Sequence, residues 1–109
     1  MKPAILLLAA LALLTAAPRA VQYTGRITDS MCARAEHASM GMGDTDGECT
    51  IACVRAHGAL YVLFDGKQVY SLGDQTMFER FAGKKVAITG SLDAKTMTIG
   101  KIDSIKVVK

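Results

Sequence analysis

Cys32-x4-His37-x11-Cys49-x3-Cys53 gathers all three cysteines and one of the two histidines into 22 consecutive residues of a 109-residue chain. These are the side chains best able to hold a metal or exchange electrons. Cys49 and Cys53 are spaced i, i+4, with His57 one step further, so on a helix the three lie along one drifting stripe. Two thiolates one turn apart can share an ion without bending the backbone. Cys32 and His37, from the preceding stretch, complete a tetrahedral Cys3His set of the kind zinc takes. Met40 and Met42 add thioethers nearby, which favour copper as Cu(I), because soft ligands select soft ions.

The same residues support a plainer reading. Small exported domains use disulfides as staples. A bond from Cys32 to Cys49 or Cys53 closes a loop of about 17 to 21 residues, worth roughly 3 kcal/mol in the chain-entropy model. The odd cysteine count leaves one thiol over. A third reading is a redox thiol near a helix N-terminus, for which Cys49 is best placed. His57 reads as an exposed helix-end residue, favourable against the dipole.

Other chemistries lack their signatures. The sequence has no CxxC or CxxCH, no Walker loop, no GxGxxG and no HExxH. Carboxylates at Asp44, Asp46 and Glu48 crowd a helix start, where capping explains them better than acid–base catalysis. The expectation is a non-catalytic domain.

Residues 1–20 read as a signal peptide: Lys2 supplies the charge and Ala4 to Leu14 is an unbroken apolar run. That run is too short for a membrane span, which needs roughly twenty residues. The expected destination is the periplasm or the exterior, with no stable membrane span left after leader removal. Losing Lys2 and Arg19 takes the 13 basic residues to 11 against 10 acidic ones, a net charge of +1. The remaining positives are scattered, so no nucleic-acid surface is indicated.

Residues 21–109 then form one small domain, carrying the cluster in a loop–helix insertion over residues 29–58. Val21–Thr28 has strand character, with a bend or bulge at Gly25. Glu48–His57 reads as a helix capped by Thr45 or Asp46 and ended by Gly58. Leu60–Phe64 and Lys67–Leu72 flank Asp65-Gly66, a two-residue hairpin signal. Gln75–Phe81 reads as a second short helix capped by Asp74. Lys85–Leu92 alternates as a half-buried strand. Thr96–Ile99 and Lys101–Val108 complete the sheet, with Gly100 as a bend and Ile102, Ile105 and Val107 as core positions. The fold class is mainly β with one or two short helices (α+β), a small OB-like antiparallel β-barrel.

Gly25-Arg-Ile-Thr-Asp-Ser-Met-Cys32, then His37, Cys49-x3-Cys53, the Asp-Gly hairpin and a terminal FAGKKVAITGSLD resemble a family of small exported bacterial proteins of unknown function. Their hallmark is G-x-I-T-D-S-x-C, a downstream His and C-x3-C. The resemblance covers residues 22–108 and implies export and an OB-like barrel; it brings no activity, because the family has none assigned. It marks Asp29, Ser30, Cys32, His37, Cys49 and Cys53 as a shared cluster. The reading that follows is an exported binding or structural domain whose cluster clamps a loop to a helix, by one disulfide. The alternatives are a copper or zinc binder through Cys32, His37, Cys49 and Cys53, and a thiol redox protein.

Overall fold

A computed structural model of the chain describes residues 20–33 and 45–109. The expected leader, apart from Ala20, and His37, Met40 and Met42 lie outside the described residues. Five strands and one α-helix follow in order: β1 (Val21–Asp29), α1 (Asp46–His57), β2 (Tyr61–Phe64), β3 (Val69–Leu72), β4 (Lys85–Asp93) and β5 (Thr98–Val107). The strands are ordered β1-β2-β3-β5-β4 and the sheet closes on itself through β1 and β4. The mainly β, OB-like architecture expected from the short strands is the one observed. All neighbours are antiparallel except β3 and β5, which run parallel, Ser71 beside Thr98 and Leu72 beside Ile99. The antiparallel expectation therefore fails at one seam, where the chain crosses from β3 by way of β4 before returning.

β1 serves two partners. Val21–Arg26 pairs with β4 and Arg26–Asp29 pairs with β2. Gly25 stands at the changeover, where a Cβ would come within 2.5 Å of the Phe64 carbonyl oxygen. Only glycine lets the two backbones approach that closely. The interior is filled by Ile27, Tyr61, Leu63, Leu72, Phe78, Val86, Ile88 and Ile99, all buried. Val86 and Ile88 point inward as the alternation along β4 requires.

α1 begins two residues before the expected Glu48. Thr45 caps it, its hydroxyl accepting the Glu48 N–H at 3.1 Å, and Gly58 ends it at φ 68°. Asp46 and Glu48 in the first turn and Arg55 and His57 in the last oppose the helix dipole favourably. Ion pairs fasten both ends to the barrel, Arg26 to Asp46 at 3.2 Å and Arg55 to Glu79. No helix among the described residues is long and apolar enough to cross a membrane.

Four local expectations are corrected. The β2–β3 loop spans Asp65–Gln68 rather than two residues. The Asp65 carboxylate accepts the Lys67 and Gln68 N–H groups at 2.8 and 2.7 Å, and Gly66 has positive φ while Asp65 does not. This Asx arrangement competes successfully with the two-residue turn. The sheet's closing segments form one strand, with Gly100 and Asp103 skipped in the register against β4 as bulges. Ile102 and Ile105 are half-buried against the core, but Val107 is 51 % exposed near the strand end.

The expected second helix is absent: only Glu79–Phe81 forms a single 3-10 turn. Asp74 caps a tight turn at Thr76 instead. Gln75 turns its amide onto the backbone of β2, accepting the Tyr61 N–H at 2.7 Å and donating to the Tyr61 and Leu72 carbonyls at 2.9 and 3.1 Å. It acts as an extra rung on the β2–β3 ladder, and those bonds outweigh helix propensity. Gln75→Ala removes all three bonds and leaves a buried N–H unpaired, so we expect a loss of about 2–3 kcal/mol, read as a lower urea midpoint at unchanged m-value.

Candidate metal centre

The cluster is built where the end of β1 meets one face of α1. Asp29 is the last residue of β1 and is 0 % exposed. Its Oδ1 accepts the backbone N–H groups of Met31 and Cys32, each at 3.0 Å, folding the chain into a tight turn just past the strand. That turn swings Cys32 back toward the helix. Ser30 locks the strand end to β2, its N–H donating to the Leu60 carbonyl at 2.8 Å and its Oγ accepting the Leu60 N–H at 2.9 Å.

From the other side α1 presents Cys49 and Cys53. The amides of Gly58 and Ala59 both return to the Cys53 carbonyl, which fixes this residue at the capped end of the helix. Cys32, Cys49, Cys53 and Ala59 form one buried cluster, separate from the main core. Within it a carboxylate oxygen of Asp29 and the Sγ atoms of Cys32 and Cys53 all lie within 4.8 Å of one another. Cys32 is 2 % exposed and Cys53 1 %.

Burial raises the Cys32 thiol above its ordinary value, and the nearby Asp29 charge adds to the effect. Cys53 is pushed up to about 12, by burial first, then by Asp29 and the other two sulfurs. The mutual influence of the two sulfurs works in opposite senses, lowering Cys32 and raising Cys53, and is smaller than burial for both. Both groups are therefore neutral thiols at pH 7 in the metal-free protein. A cation placed among them would reverse that preference, because a bound ion holds its thiol ligands deprotonated.

All three cysteines are free thiols. Of the two helical cysteines, Cys53 is the one whose sulfur groups with Cys32 and Asp29, while Cys49 belongs to the same buried cluster at 0 % exposure. His57 is exposed at the end of the stripe, where the drift of the helix carries it out of the cluster. His37 lies outside the described residues, in the segment that joins the two halves of the site. Asp29 was not legible as a ligand from spacing. It entered only through the T-D-S-x-C element of the resemblance, and its position comes from strand pairing, Asp29 beside Tyr61.

Comparison with family models, with curated proteins and with solved structures gives no match.

Proposed function

We propose that this chain is an exported metal-binding domain in which Asp29, Cys32 and Cys53 hold one ion between the barrel and its helix. The observation that carries the reading is the mutual approach of three ligand atoms, from two separate segments, in a place closed to solvent. Sulfur with carboxylate oxygen is a donor set that suits zinc, which takes Cys, His and Asp together. Copper as Cu(I) prefers sulfur throughout, so the Asp29 oxygen turns the choice toward zinc. A fourth position falls to Cys49, from within the same cluster, or to His37. The ion's role is to tie the turn after β1 to α1. Export is supported by the apolar leader.

The test is metal stoichiometry on reduced protein. One zinc per chain is expected by elemental analysis after dialysis, with three titratable thiols once the metal is removed in denaturant. Cys32→Ser and Cys53→Ser should each lower the content to below about a tenth. Reduced protein that retains no ion would end this reading.

A further inference from the structure

Two of the ligands are each other's neighbours, and that has a chemical consequence when oxidant is present. We infer that the centre is redox-gated: Cys32 and Cys53 form an intramolecular disulfide by exchange with an external disulfide, and this bond and the metal exclude one another. The inference rests on the metal reading above.

Three observations support the pairing. The Sγ atoms of Cys32 and Cys53 lie within 4.8 Å of each other in the same buried cluster. Cys53 is held by a helix whose end is capped at its own carbonyl, whereas Cys32 lies in a turn. Cys32 itself is 2 % exposed, so an external disulfide reaches it only as this turn opens, and its neighbour Met31, 56 % exposed, marks the solvent side of that turn. Bond formation brings the sulfurs from within 4.8 Å to about 2 Å, a movement that falls to the turn because Cys53 is held in the helix. Cys49 and Cys53, by contrast, are one turn apart on a regular helix, a geometry that does not readily give the Cβ approach a disulfide needs.

The reaction balances as two exchanges. The Cys32 thiolate attacks one sulfur of an external disulfide RSSR, breaking its S–S bond and releasing RS⁻, which takes up the proton Cys32 lost. The Cys53 thiolate then attacks the Cys32 sulfur of the mixed disulfide and expels the second RS⁻, which is protonated in turn. Two protein thiols are oxidised to one disulfide and RSSR is reduced to two RSH. The product has no thiolate at either position, so the ion loses two of its ligands together. Cys49 keeps its thiol.

The experiment uses oxidised glutathione on zinc-loaded protein, with a chromophoric chelator reporting free zinc. One equivalent of zinc should appear in step with the loss of two thiols, and dithiothreitol followed by zinc should restore the starting state. Peptide mapping should show Cys32 linked to Cys53 and Cys49 alkylated, and Cys49→Ser should leave the linkage intact. A map showing Cys32–Cys49, or glutathione adducts alone, overturns the inference and leaves the metal reading standing. So does zinc retained after the Cys32–Cys53 bond has formed. If the reduced protein takes up no zinc at the outset, the metal reading falls on that arm alone, and the gating falls with it. The mapped Cys32–Cys53 bond would then be a structural link only.

Discussion

Replacing Asp29 with Ala should abolish stable metal retention and also destabilise the metal-free domain, whereas Asp29→Asn should separate these two effects. Oδ1 of Asp29 accepts two backbone N–H groups, from Met31 and Cys32, at the point where the chain turns toward the helix. In the Ala variant both donors lose that acceptor. Hydrogen bonds to a charged group contribute about 1.5–3 kcal/mol each, and leaving a buried donor unpaired costs about 1–3 kcal/mol. A loss of roughly 3 kcal/mol in the metal-free protein is the expected result, set against the marginal stability of a domain this small. Asn keeps an Oδ1 acceptor in the same place, so the turn and most of the stability should survive. It lacks the negative charge that a divalent ion needs from an oxygen ligand. Zinc affinity should therefore fall roughly 100-fold or more, at the upper end of what removing even an outer-sphere partner does. Urea unfolding of the metal-free proteins and competition against a chelator of known affinity give the two readouts. An Asn variant that binds zinc as tightly as the parent would remove Asp29 from the ligand set.

The division of labour at Asp29 also explains what the sequence could and could not disclose. β1, β4 and the helix carry their own periodicity and caps, and Thr45 and Gly58 bound α1 where local chemistry says they should. The hairpin was visible through Asp65-Gly66, although the Asp65 side chain built a longer loop than the dipeptide alone implies. Gln75–Phe81 misled because Met77, Phe78 and Phe81 have helical spacing. Phe78 is instead a fully buried plug of the barrel, and Gln75 is committed to β2. Its partner lies fourteen residues away, and no local pattern encodes such a bond.

The site follows the same rule. Cysteine spacing gave the helical half, because i, i+4 is a property of one element. The choice of Cys53 over Cys49, and the inclusion of Asp29, depend on how β1 registers against β2 and where that register ends beside α1. Closure of the sheet sets that relation, with β1 held along both edges. The parallel seam between β3 and β5 is likewise a result of closure, not of any residue in either strand.

The pH dependence of binding should be steep and should count the sulfur ligands. In the metal-free protein Cys32 titrates above its ordinary value and Cys53 near 12, both raised first by burial. Their thiolates are disfavoured in the empty site, so every ion bound between pH 6 and 8 displaces one proton from each. Below the thiol pKa values the apparent association constant then rises tenfold per displaced proton per pH unit. Two thiolates give about 100-fold per unit. If Cys49 supplies the fourth ligand as a third thiolate, the slope becomes about 1,000-fold per unit. If His37 supplies it, the slope stays at two above the ordinary histidine value near 6.5 and steepens toward three below it. Competition titrations with a zinc chelator from pH 6 to 8, corrected for the chelator's own protonation, measure this directly. A slope of zero or one would mean that Cys32 and Cys53 do not both bind as thiolates, and the site between β1 and α1 would not be the one the ion occupies.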